Sequence, residues 1–182
     1  MAELALFGGP KEIQIDGGDI FRWPIITSDD EEAVLEVLRR GAMSGSDVTL
    51  KFEEEIMEYF GSSYALCHNT GTAAIQSAMW ACGVKRGDEI ICQSMTYWGS
   101  ALQVFSLGAT VVFGEMDPET LTLDPNDVES RITDRTKAIV VVHYSAYPTD
   151  MDPIMEIADR YKLKVIEDVS HAQGGLYKGR ML

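Results

Sequence analysis

The chain has 182 residues, 46% of them hydrophobic and 24% charged, the balance of a soluble globular protein long enough to bury a substantial core. Its formal net charge of −14 would repel a phosphate backbone, which argues against a nucleic-acid partner, while a local ring of backbone amides would still suit a small anion. No basic-then-apolar leader opens the chain and no apolar run reaches the roughly 18 residues a bilayer span needs, so a cytoplasmic protein without membrane contact is expected.

Residues 1–28 are irregular and contain Gly and Pro, which predicts an arm, with one larger domain over 29–182. Ser28 before Asp29-Asp30-Glu31-Glu32 predicts a helix start, with a capping hydroxyl and acids at the positive dipole end. Ala33, Val34, Val37 and Leu38 supply its stripe, and Arg39-Arg40-Gly41 its stop. The loop Ala42–Ser46 leads to a second helix around Phe52–Phe60. Then strands and helices alternate. Strands are expected at Tyr64–Cys67, Glu89–Cys92, Thr110–Phe113, Ala138–Val142 and Lys164–Ile166. Helices are expected at Gly71–Cys82, Gly99–Leu107, Asn126–Ile132 and Asp152–Tyr161. Short apolar strands separated by helices of about ten residues predict an α/β fold, a mostly parallel sheet covered on both faces. Cys67, Cys82 and Cys92 lack metal-ligand spacing and read as small buried hydrophobes in a reducing compartment.

In such a sheet, ligands bind beyond the carboxyl ends of the strands. After the first strand, Thr70-Gly71-Thr72 opens a helix with free amides and a hydroxyl, which suits a phosphate; an ordinary capped helix start has the same residues. After the second, Tyr97 and Trp98 cannot both enter the core, so one either stacks on a planar ligand or roofs the sheet. After Val142, the stretch His143–Asp150 either lines a substrate site or caps the next helix. After Ile166, Glu167-Asp168 delivers an acid to a strand end, where burial demands a partner: a cationic ring nitrogen, an arginine or a metal. Cradle, aromatic and aspartate together describe a pocket for a flat, phosphorylated, cationic ring, and pyridoxal 5′-phosphate (PLP) meets all three demands.

With these residues in place, the chain from about Trp23 onward resembles the DegT/DnrJ/StrS family of PLP-dependent sugar aminotransferases. The resemblance rests above all on His143…Pro148-Thr149-Asp150-Met151-Asp152 and on Ile166-Glu167-Asp168…His171-Ala172…Gly174…Tyr177-Lys178-Gly179-Arg180. It implies a three-layer αβα large domain of the aspartate aminotransferase-like fold, incomplete at its C-terminus. It further implies that Gly71 and Thr72 hold the PLP phosphate, Tyr97 stacks on the ring, Asp168 pairs with the ring nitrogen and His171 contacts the ring hydroxyl. Ser44 and Gly45 would lie near the incoming amino group. No catalytic residue is assigned within the chain, because the Schiff-base lysine of the family is expected beyond Leu182, and Lys178 reads as a solvated turn residue. A sheet cut short in this way predicts an unpaired edge and aggregation. The implied reaction moves an amino group from an amino acid, glutamate in most relatives, to a keto-sugar, usually nucleotide-linked, by a ping-pong mechanism in a homodimer. A sugar dehydratase of the same fold and a silent binding protein are the alternatives. A nicotinamide-nucleotide domain is disfavoured because no Gly-x-Gly-x-x-Gly follows a strand.

Overall fold

A computed structural model describes residues 3–18 and 22–182. The chain divides into two compact units that part between Ser46 and Asp47, later than the arm boundary expected at residue 28. The first unit holds α1 (Ser28–Arg39). Its cap is Thr27 rather than Ser28: the Thr27 N–H donates to the Asp30 carboxylate at 2.8 Å, and the Thr27 side chain accepts from the Asp30 N–H. Both residues are good caps and each stands three places before an acid; the reciprocal capping box is closed by Thr27 with Asp30.

The second unit contains α2 (Asp47–Phe60), α3 (Gly71–Ala81), β1 (Glu89–Gln93), β2 (Thr110–Gly114), α4 (Pro125–Ser130), β3 (Thr136–Val142), α5 (Met151–Tyr161), β4 (Lys164–Asp168) and the small hairpin strands β5 (Leu176–Tyr177) and β6 (Arg180–Met181). Four strands form one wholly parallel sheet in the order β2-β1-β3-β4. The side chains alternate between two cores, as the two-residue period of a strand requires. Ile90, Cys92, Val140 and Ile166 face Met79 of α3 and Val104 on one side; Ile91, Ile139 and Val141 face Val128, Ile154 and Ile157 of α4 and α5 on the other. These are the three layers expected, with β3 buried on both faces, as its continuous apolar run demands.

Three local expectations are corrected. Tyr64–Cys67 forms no strand: among the described residues no strand receives it, Tyr64 and Leu66 are exposed, and the Cys67 N–H bonds the Glu53 side chain at 2.7 Å. An apolar tetrapeptide has strand-like composition, but a strand exists only where a neighbour takes its backbone groups. The helix expected over Gly99–Leu107 is built of two 3₁₀ segments, Trp98–Ser100 and Leu102–Leu107. Of the cysteines only Cys92 is fully buried, while Cys67 and Cys82 are half-buried. Among the described residues no helix is long and apolar enough to cross a membrane.

Candidate cofactor site

The connection from β1 leads to β2 on one side of the sheet, and that from β3 leads to β4 on the other. Between β1 and β3 the winding therefore reverses, the place where an open parallel sheet forms a crevice at its carboxyl edge. Pairing between these two strands ends at Cys92 and Val140, and β1 continues alongside β2 alone as far as Gln93 and Gly114. A cavity of about 230 Å³ opens there, and Gly71, Thr72, Tyr97, Asp168 and His171 all line it. These are the five positions assigned from sequence to the cofactor.

At one end lies the start of α3. Thr70 caps it, its hydroxyl taking the Ala73 N–H at 3.0 Å and its carbonyl the Ala74 N–H at 3.1 Å. The N–H groups of Gly71 and Thr72 then have no protein partner among the described residues, which leaves two donors at the positive end of the helix, as an anion requires. Thr70 as cap and Gly71-Thr72 as an anion cradle are thus parts of one structure. The ring wall is made by the turn after β1. Tyr97 is 57% exposed, and its ring centroid lies 4.9 Å from that of Trp98, so neither aromatic is spent on the core. Gly99 makes this wall: a Cβ there would stand 2.8 Å from the Tyr97 ring and 3.1 Å from the Thr72 hydroxyl. Only a residue without a side chain allows the aromatic to lean over the cavity beside the α3 terminus.

Asp168 ends β4 and is 7% exposed. Ser100 Oγ donates to its Oδ2 at 2.7 Å, and the Ser170 N–H donates to its Oδ1 at 3.1 Å, joined by the Ser170 hydroxyl. The carboxylate is therefore fixed as an acceptor on both oxygens, with its charge still unmatched by any cation among the described residues lining the cavity. This donor set fits a flat cationic ring bearing a phosphate: anion cradle, aromatic wall and oriented carboxylate occupy one crevice. Ser170 carries a sequence signal, since an Asp side chain readily takes the backbone N–H two residues on in a local turn. Ser100 carries none, lying 68 residues from its partner.

His171 presents Nδ1 to the Ser145 N–H at 3.3 Å, and its ring lies 5.5 Å from that of Tyr144. Ser145 and Ala146 hold φ of 52° and 65°, a left-handed pair in the loop that braces His171. The stretch after β3 thus reaches the site through His171, while His143, Thr149 and Asp150 bond elsewhere. His143 is fully buried; its Nδ1 accepts the Thr149 N–H at 3.1 Å, which leaves the proton on Nε2, 3.1 Å from the Glu167 carboxylate. Asp150 stands at the N-cap of α5 without a capping bond and accepts from Tyr177. Thr149 Oγ1 is buried with no partner. Lys178 pairs with Asp152 and lies over the Tyr177 ring, lining a separate cavity. Ser44 and Gly45 belong to the first unit, in the turn after α1, where the Gly45 N–H bonds the Ala42 carbonyl at 2.9 Å.

The sequence profile of the DegT/DnrJ/EryC1/StrS aminotransferase family matches residues 24–182. An L-glutamine:2-deoxy-scyllo-inosose aminotransferase of Streptomyces lividus is 36% identical over 182 residues, covering 93% of this chain and 43% of that protein. The crystal structure of an aminotransferase from Psychrobacter cryohalolentis superposes with a TM-score of 0.83 at 38% identity, covering 88% of this chain and 41% of that one. A putative sugar aminotransferase from Streptococcus pneumoniae, solved in its PLP form, gives 0.82 at 26% identity over 87% of this chain and 44% of that one. The chain spans about two-fifths of the length of the curated relatives it matches. It belongs to the DegT/DnrJ/EryC1/StrS aminotransferase family.

Proposed function

We propose that this chain supplies the cofactor-binding side of a PLP-dependent sugar aminotransferase, the enzyme class to which its family and structural neighbours point. The observation that carries the reading is the convergence of Gly71, Thr72, Tyr97, Asp168 and His171 on one crevice at the switch point of the sheet. The amides of Gly71 and Thr72 and the Thr72 hydroxyl bind the phosphate, using the helix terminus rather than a cationic side chain. Tyr97 covers one face of the ring and excludes water from it. Asp168, immobilised by Ser100 and Ser170, holds a proton on the ring nitrogen, since a buried carboxylate favours the charged form of a neighbouring base. His171 orients the ring edge. The bound cofactor supplies an electron sink for the charge left on the donor carbon when its proton is removed.

The general base that moves this proton is assigned to a lysine outside residues 1–182, because no lysine lines the cavity among the described residues and Lys178 is engaged by Asp152. The donor proposed is an amino acid, glutamate first, with glutamine suggested by the name of the Streptomyces lividus relative. The acceptor is a keto-sugar or a cyclic polyol ketone of the kind in that name. A cytoplasmic homodimer is proposed for the whole enzyme. The first test titrates PLP and unphosphorylated pyridoxal into the chain by isothermal calorimetry. Saturable binding of PLP, at least about tenfold tighter than pyridoxal, is expected from the helix-terminus cradle. No saturable binding of PLP would overturn the reading.

A further inference from the structure

One fully buried polar side chain beside the cavity has no part in the roles above. Gln93, the last residue of β1, is 0% exposed and does not line the crevice. Its Oε1 accepts the Val142 N–H at 3.0 Å, and its Nε2 donates to the Met95 carbonyl at 3.2 Å. The placement follows from the parting of the strands. Backbone pairing of β1 with β3 stops at Cys92 and Val140, so the Val142 N–H, two residues further on, faces a gap where β1 has turned away. A buried N–H without an acceptor is costly, and the Gln93 amide fills that place. Its other end seizes the backbone of the turn that carries Thr96 and Tyr97, while Val142 itself lines the cavity. The amide orientation is dictated by its partners, one a donor and one an acceptor.

We infer that Gln93 is a positioning residue for the cofactor: one buried amide, anchored on the end of β3, sets the stance of the Tyr97 wall. This rests on the proposed PLP site and adds to it a residue that touches neither the cavity nor the ligand. Two substitutions separate its two bonds. Gln93→Glu keeps an acceptor for Val142 and, measured at a pH where the new carboxyl is ionised, sets a carboxylate oxygen against the Met95 carbonyl and releases the Tyr97 turn. Its protonated form would donate to that carbonyl and restore the bond. Gln93→Met keeps length and removes both bonds.

The test measures PLP affinity by calorimetry for the 182-residue chain, for Gln93→Glu and Gln93→Met, and for each in a Tyr97→Ala background. Loss of a buried hydrogen bond that orients the wall should weaken PLP about tenfold in the native background. In the Tyr97→Ala background the same substitution should change affinity less than about twofold, because the part it positions is gone. A merely structural role would give equal factors in both backgrounds, and that outcome overturns the inference. So does an unchanged affinity in both variants. Failure of the parent chain to bind PLP would overturn the proposed function first, and this inference with it. A readout independent of any variant's folding is the scalar coupling across the hydrogen bond from Val142 ¹⁵N to the Gln93 side-chain carbonyl. Its presence in the unliganded chain is expected, and its absence overturns the brace.

Discussion

Asp168→Asn isolates charge from shape at the floor of the cavity. The side chain keeps its size, and each contact has a replacement: the amide oxygen accepts from Ser170, and the amide nitrogen donates to Ser100 Oγ. Ser100 Oγ can turn its own proton to Thr96 Oγ1, 3.1 Å away. The fold should therefore change by less than about 1 kcal/mol, as expected where every buried polar group remains paired. The ligand loses more. A buried hydrogen bond to a charged group contributes about 1.5–3 kcal/mol, so PLP affinity should fall about 10- to 100-fold. Calorimetry with PLP, alongside a phosphorylated salicylaldehyde that lacks the ring nitrogen, reads the difference. The nitrogen-free analogue should bind parent and variant alike. Unchanged PLP affinity in a folded Asp168→Asn chain, or an equal loss for both ligands, would refute the pairing of Asp168 with the ring nitrogen.

Gly99→Ala puts a methyl 2.8 Å from the Tyr97 ring, and since that ring is half-exposed it swings aside rather than unfolding the chain; PLP should bind about three- to tenfold more weakly, the value of one ring contact, while the melting temperature holds. The Glu89 carboxyl lies below its ordinary 4.5, held there by the Thr133 hydroxyl and then by Arg135, and Asp127 lies below 3.8 through Arg131. A depressed carboxyl gives stability that is present above its unfolded value and is lost as pH falls through the folded one. Urea midpoints should therefore fall below about pH 4.5, and Glu89→Gln should flatten that acid limb; an unchanged limb would be the wrong result. Burial, reinforced by the Asp168 charge, pushes the Cys92 thiol up to about 12, so iodoacetamide in mild base should modify Cys67 and Cys82 well before Cys92. Equal labelling rates would show that β1 opens.

What could be read from the residues was whatever is local or periodic. The run Ala138–Val142 declares a central strand buried on both faces because nothing polar interrupts it; that β1 and β4 are its neighbours comes from the structure alone. Asp168 is legible because an acid that ends an apolar strand has one place to go in a parallel sheet. Gly71-Thr72 is legible because it follows a Thr cap at a helix start, and Tyr97 because it stands in the turn directly after a strand. The supports are not legible. Ser100 meets Asp168 across 68 residues and Gln93 meets Val142 across 49, and nothing in the intervening sequence encodes either distance. Gly99 reads as a helix start until the Tyr97 ring is seen to need its missing Cβ. Tyr64–Cys67 fails as a strand because strand character belongs to a pair of segments, and composition describes only one.

The neighbouring acids Glu167 and Asp168 show how the pleat apportions charge. Asp168 shares its face of the sheet with Ile166 and enters the cavity; Glu167 shares the opposite face with Val165, where it meets His143. Two carboxylates in one small crevice would repel, raising the pKa of one and weakening its hold on a cationic ring. The two-residue period of β4 prevents this, leaving a single negative charge against the ring and handing the other to a neutral imidazole that donates from Nε2. Glu167→Gln should accordingly leave PLP affinity within about twofold of the parent, because an amide oxygen still accepts from His143 and no charge is removed from the cavity. If Glu167→Gln weakened PLP as strongly as Asp168→Asn, the two acids would be acting on one site. The division of labour by strand face would then be wrong.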